Sequence, residues 1–182
     1  RDYNAVHKGY LETECPSADR NLFAAFIKRC LELIDPNGYV GMLTGQSFMF
    51  ISSYEALRNE ILQDASIATL AQYDYHLFKE RVDTAAFVLR AEPDAKRRQA
   101  DVGVYFRLVK EPDADAKRTA FEFALAACRA SQPHAQVFIY KQSDFDDIPD
   151  KPWVYWMSEY MRKLFVTCDL MEKGAKPRQG LA

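Results

Sequence analysis

Between Asn21 and Leu89 the apolar residues pass from helical to strand spacing and back, and this alternation limits the fold more than any other feature of the chain. Leu22, Phe23, Phe26, Ile27, Cys30, Leu31 and Ile34 recur at helical intervals, and either Asp19 or Asn21 can cap the helix they form. Asp35-Pro36-Asn37-Gly38 has the chemistry of a turn. Tyr39 to Thr44 is a short apolar run, and the pattern predicts a strand buried on both faces. Gly45-Gln46-Ser47 is expected as a loop. Ser52 or Ser53 caps a second helix, with Glu55 in its first turn and Tyr54, Leu57, Ile61 and Leu62 on one face. Strands are predicted over Ile67–Tyr73 and Thr84–Leu89. Helix and strand in alternation mean an α/β arrangement. Three strands are too few for a doubly wound sheet, so the expectation is half a sheet.

After residue 92 the character changes. Glu92–Gln99 is expected as a charged loop, Asp101–Val109 as a strand, and Asp113–Ser131 as an amphipathic helix with Ala120, Phe121, Ala124, Leu125 and Cys128 on its inner stripe. Val137–Tyr140 is a further short strand. An acidic loop over Asp144–Asp150 leads to a last helix, Trp156–Cys168. Residues 1–19 are polar, with Gly9 and Pro16 as breakers, and are expected to be irregular.

Composition removes several function classes. The 182 residues are 48% hydrophobic and 27% charged, ordinary for a folded domain. Seven glycines are few; the closest pair, Gly38 and Gly41, lies in the strand pattern, and neither GxGxxG nor GxxxxGK[ST] occurs. A self-contained nucleotide-binding domain of the usual kinds is therefore excluded. A net charge of −2 gives no global attraction to a polyanion, so any such site is local. No apolar run approaches the roughly 20 residues of a membrane span. Cys15, Cys30, Cys128 and Cys168 show no CxxC spacing and read as reduced thiols in a cytoplasmic protein. His7, His76 and His134 have no ligand partner at i+3 or i+4, so no metal site is expected. The serines at 47, 52 and 53 lack a GxSxG context. The first residue is Arg1 and the last stretch ends without a helix terminus, so the chain is expected to be a piece of something longer.

The informative stretch is Tyr73-Asp74-Tyr75-His76-Leu77-Phe78-Lys79-Glu80-Arg81-Val82-Asp83-Thr84, an aromatic and charged link between two apolar strands. It is longer than a hairpin needs, which fits either a solvated hairpin or a functional loop. Asn21-Leu22-Phe23 through Ile34, Pro36-Asn37-Gly38 through Thr44, Leu57-Arg58, and Phe78-Lys79-Glu80-Arg81-Val82-Asp83-Thr84-Ala85-Ala86-Phe87-Val88-Leu89 together resemble γ-class N6-adenine DNA methyltransferases, downstream of their catalytic motif. Pro152-Trp153-Val154-Tyr155-Trp156 to Phe165 and Pro177–Ala182 narrow the likeness to the PglX-type methyltransferases of BREX phage-defence systems.

The resemblance implies the C-terminal half of a Rossmann-like α/β methyltransferase sheet with an added α+β extension. It divides the chain into residues 1–92 (second half of the catalytic domain), 93–150 (extension of the same sheet) and 151–182 (helical lead into a target-recognition region). The helix from Asn21 would follow the Asn-Pro-Pro-Tyr strand, which this chain does not contain. Tyr39–Thr44 would be the fifth strand, and the pair 67–73 and 84–89 the closing antiparallel strands. The implied activity is methyl transfer from S-adenosylmethionine to an adenine flipped out of duplex DNA, in phage defence or restriction-modification. By the same resemblance Phe78 stacks on the flipped base, and Asn21, Leu22 and Phe23 line the cofactor–base pocket. Lys79, Arg81, Lys96, Arg97 and Arg98 would meet DNA phosphates. Other phage-defence proteins are implied as partners, and no membrane. Two other readings remain at this stage: the methyltransferase half of a methylase–endonuclease fusion, and a non-catalytic α/β interaction module. The expected outcome for the isolated 182 residues is neither S-adenosylmethionine binding nor methylation. Calorimetry with the purified chain tests this, and a micromolar isotherm overturns it.

Overall fold

The computed structural model describes residues 4–78 and 82–168. Its strands are β1 (Tyr39–Gly45), β2 (Ala65–Asp74), β3 (Thr84–Ala91), β4 (Val102–Arg107) and β5 (Val137–Lys141). They form one sheet in the order β1-β3-β2-β4-β5. β3 runs antiparallel to both its neighbours, β2 and β4 are parallel, and β5 returns antiparallel beside β4. The expected closing pair is therefore β2 and β3, with β3 inserted between β2 and the predicted fifth strand, β1. The helices are α1 (Ala5–Glu14), α2 (Leu22–Leu33), α3 (Glu55–Asp64), α4 (Ala95–Ala100), α5 (Ala114–Arg129) and α6 (Glu159–Thr167).

α2 begins where the Asn21 side chain accepts from the Phe23 amide. It buries Ala24, Ala25 and Ile27 toward the sheet and leaves Phe26 and Leu33 exposed. The turn after it needs its special residues: Asn37 adopts φ 66°, and a Cβ on Gly38 would lie 2.8 Å from the Asp35 carbonyl. Gly103 is fixed by a different constraint, since a Cβ there would come within 2.4 Å of the Ile67 carbonyl on the neighbouring strand.

The sheet divides its side chains between two cores. Phe87, Leu89, Leu70, Ile67 and Tyr105 face α2, α3 and the segment from 142 to 156, where Phe48, Phe145, Trp153 and Tyr155 complete the larger core. On the other face Ala71 and Phe106 meet Ala124 of α5, with Tyr73, Phe121 and Leu125 around them. β1 corrects the expectation of a strand buried on both faces. It has one strand neighbour among the described residues, and its burial alternates: Thr44 is buried, while Tyr39, Gly41 and Leu43 are exposed.

Several other expectations change. Residues 5–14 are helical, because Asn4 caps them by accepting from the His7 amide and Leu11 alone anchors the helix to the core. One buried residue leaves no stripe to read, and Gly9 is tolerated within an exposed helix. Residues 95–100, expected as loop, form α4, whose start is fixed by the Asp94 carboxylate accepting from the amides of Lys96 and Arg97. Neither Ser52 nor Ser53 caps α3; they belong to a 3-10 turn, Ser52–Tyr54, that runs into it. Part of the expected acidic loop winds into a 3-10 stretch, Gln142–Asp147. α6 starts at Glu159 rather than Trp156, since Trp153 and Tyr155 are buried in extended chain and Ser158 supplies the cap.

Arg58 on α3 is fully buried. Its guanidinium donates to the carbonyls of Phe48 (2.8 Å) and Ile51 (2.7 Å) and twice to that of Asp150 (2.6 and 3.1 Å). A buried cation is tolerated here because each nitrogen is spent on a carbonyl dipole. Removing it leaves three carbonyl acceptors without their donors and a cavity in the core, so Arg58→Ala is expected to cost roughly 3–5 kcal/mol in a denaturant melt. Arg58→Lys recovers little, since one ammonium cannot span the same carbonyls.

Candidate functional site

In open α/β sheets ligands meet the carboxyl ends of the parallel strands. Here that edge is formed by the ends of β1, β2 and β4 and by the start of β3. Gly45 ends β1 at one side of it: the Phe23 ring and the Asp83 carbonyl both lie within 4 Å of where its Cβ would be. The start of α2 and the end of the β2–β3 link therefore meet at the end of β1. Phe23 is held in place from behind, its ring centroid 6.2 Å from Phe48 and 5.9 Å from Tyr54.

A chain of polar side chains crosses the same edge. The Tyr155 hydroxyl donates to Gln72 Oε1 (2.9 Å), Gln72 Nε2 to Gln46 Oε1 (2.9 Å), and Gln46 Nε2 to Asp74 Oδ1 (3.0 Å). The Gln46 amide also donates to the Asp83 carbonyl at 3.2 Å. Burial pushes the Tyr155 hydroxyl well above the usual phenol range, so it remains a donor. Burial also holds the Asp83 carboxyl above the usual carboxylate range, and the charge of Asp74 adds to this. The network ties both ends of the link to the strand ends: Asp74 leaves β2, and Asp83 enters β3.

The link turns out of the sheet through two left-handed residues, Asp74 (φ 60°) and His76 (φ 68°), types that adopt this conformation more readily than most. Phe78 follows and is 49% exposed, a large aromatic face open beside the strand ends. Lys79 and Arg81 lie outside the described residues. The remaining basic candidates are elsewhere. Lys96, Arg97 and Arg98 sit on α4, which precedes β4 and so lies at the opposite end of the sheet, and Arg98 donates to the Glu92 carbonyl. β2 alone, ten residues long, separates the two ends by roughly 30 Å. No group of three or more His, Cys, Asp or Glu able to hold a metal occurs among the described residues.

Arg107, at the end of β4 and paired in register with Gln72, received no notice at the level of sequence. Its guanidinium lies over the Trp156 ring at 4.4 Å from the centroid. Gln46, Gln72 and Tyr155 were missed as well. Their one legible signal is a glutamine at an inward position of an otherwise apolar strand, which requires partners once buried.

Residues 1–78 match the family described as Eco57I restriction-modification methylase. Beyond the methylase match, the chain is 33% identical over 149 residues to the adenine-specific methyltransferase PglX of Lacticaseibacillus casei (strain Zhang). It is 28% identical over 160 residues to the adenine-specific methyltransferase BrxX of Escherichia coli O9:H4 (strain HS). These alignments cover 79% and 84% of the chain, which spans 12% of the length of each relative. Among solved structures, the methyltransferase subunit of the type I restriction-modification system from Streptococcus thermophilus superposes with TM-score 0.59 at 13% identity, over 81% of this chain and 33% of that one. The type IIG restriction endonuclease BpuSI gives 0.56 at 11% identity, over 84% and 18%. The resemblance and the Rossmann-like methyltransferase fold read from the sequence are upheld.

The polar chain makes a quantitative expectation. Tyr155→Phe removes one neutral hydrogen bond and should cost about 1 kcal/mol, whereas Gln72→Leu strands a buried donor and a buried acceptor and should cost about 2–3 kcal/mol. The double variant is expected to fall short of the sum by about 0.5 kcal/mol or more, measured by urea melts. Additive losses would mean the two groups do not act through one another.

Proposed function

We propose that this chain forms the base-facing edge of a site-specific DNA adenine-N6 methyltransferase that works in phage defence or restriction-modification. One observation carries the reading: in a chain akin to adenine-specific methyltransferases, the exposed Phe78 ring stands at the carboxyl edge of the sheet, on a link tied down at both its ends. A base must leave the helix before its exocyclic amine can be methylated, and it then needs a flat apolar surface. Stacking on an aromatic ring supplies roughly 1–3 kcal/mol. Phe78 provides that surface, and the network from Tyr155 to Asp74 fixes where the link leaves the sheet.

In this reading S-adenosylmethionine supplies the methyl group. The described residues do not by themselves make up its site. The Asn21 side chain is engaged as a helix cap, Phe23 is packed between Phe48 and Tyr54, and the glycines among the described residues lie in α1, in the turn at Gly38 and in β1 and β4. Asn21, Leu22 and Phe23 supply one wall near Gly45, and the pocket's remainder belongs to other parts of the natural gene product. Duplex DNA is the substrate. No helix among the described residues is long and apolar enough to cross a membrane, and all four cysteines are free thiols, which accords with a cytoplasmic enzyme.

Phe78→Ala in the natural gene product is the test. Methylation of its DNA site is expected to fall by roughly 10–100-fold, the equivalent of one lost stacking contact, while cofactor affinity changes little. Unaltered turnover removes Phe78 from the site.

A further inference from the structure

We propose that Arg107, braced on Trp156, is a DNA phosphate contact beside the flipped base. The proposal rests on the reading of the carboxyl edge as the face that meets DNA.

Arg107 differs from every other arginine that is buried or half-buried among the described residues. Arg58 is spent on three carbonyls, Arg90 pairs with Glu92 and Asp101, Arg98 donates to a carbonyl, and Arg162 pairs with Asp144 and Asp147. Arg107 has no carboxylate and no carbonyl as side-chain partner among the described residues. Its Nε is enclosed without a hydrogen bond, and one face of its guanidinium is covered by the indole. The two Nη groups are neither enclosed nor engaged among the described residues, so their N–H donors remain available on a planar, permanently charged group.

That arrangement is suited to phosphate. A guanidinium presents parallel donors to two oxygens at once, and stacking on an aromatic ring removes the conformational freedom that an exposed arginine would lose on binding. The ring itself is held: Trp156 packs edge-on against Phe50 at 5.6 Å and Tyr155 at 5.0 Å. The position is also apt. Arg107 is in register with Gln72, and the link bearing Phe78 leaves the same strand two residues later. Neighbouring strands are about 4.8 Å apart, so the backbone of Arg107 stands one strand spacing from the strand that leads into the base-stacking link. A phosphate held there anchors the backbone next to the nucleotide being turned out and reads no sequence.

The experiment measures binding of the natural gene product to duplexes with and without its recognition site, across a range of salt concentrations. Loss of one phosphate contact lowers the magnitude of the log–log salt slope by about 0.9 and weakens both duplexes alike. Arg107→Gln is expected to do both, with an affinity loss of about tenfold at low salt. Arg107→Lys is expected to keep a slope near that of the wild type, because the charge remains, and circular dichroism melts should report folded protein for both variants. An unchanged slope in Arg107→Gln overturns the assignment, as does a loss confined to the recognition site. If the unmodified protein itself binds DNA with no salt dependence, the DNA-facing reading of the whole edge falls too. An unchanged slope together with the expected Phe78→Ala defect rejects Arg107 alone.

Discussion

The buried Arg58 guanidinium is the interaction on which the rest of the arrangement depends. It joins the turn after β1, through the carbonyls of Phe48 and Ile51, to Asp150, 92 positions later in the chain. A second bond, from the Trp153 amide to the Met49 carbonyl at 2.8 Å, continues the same junction. With both in place, the extended run from 151 to 156 is laid across the sheet. Trp153 then enters the core against Phe48 and Phe145, and Tyr155 stacks on Tyr105 at 4.6 Å. Only then does the Tyr155 hydroxyl reach Gln72, and only then does Trp156 come under Arg107. A late segment of the sequence thus supports the surface built by an early one.

How much of this could be read from the sequence follows from how each signal is encoded. α2, β2, β3 and α5 were legible because each carries a periodic apolar pattern over many residues, as Ala120, Phe121, Ala124 and Leu125 do in α5. α1 and α4 were not. They hold one buried residue and none, respectively, and depend on the single capping residues Asn4 and Asp94. β1 was placed correctly in the chain but wrongly in depth, because an apolar run does not distinguish a central strand from an edge strand with a bare face. At the candidate site, Phe78 came from the resemblance and its exposure from the structure. Gln46, Gln72, Arg107 and Tyr155 lie 26 to 109 positions apart across four elements or turns, and no local pattern in the sequence joins them.

The edge described here mixes two kinds of surface. Toward β1 it carries Asp74 and Asp83, with the Gln46 amide groups turned toward them, and it is acidic. Toward β4 it carries the free donors of Arg107. Phe78 stands on the link that Asp74 and Asp83 bound. Such a gradient orients a polyanion so that its charged backbone lies on the β4 side, while an uncharged ring can approach the other. The net charge of the chain conceals this, since −2 is a sum over the whole surface and the contrast is local.

The chain has two tryptophans, three positions apart, and they occupy opposite surroundings. Trp153 is fully enclosed by aromatic rings, whereas Trp156 is half-buried with a cation over its face. They are therefore two separate optical probes built into one short segment. Emission from Trp153 follows whether the core is intact, and emission from Trp156 follows what happens to its neighbouring guanidinium. Ligand capture at the edge and loss of the fold would leave different spectral traces, and no label has to be attached to tell them apart.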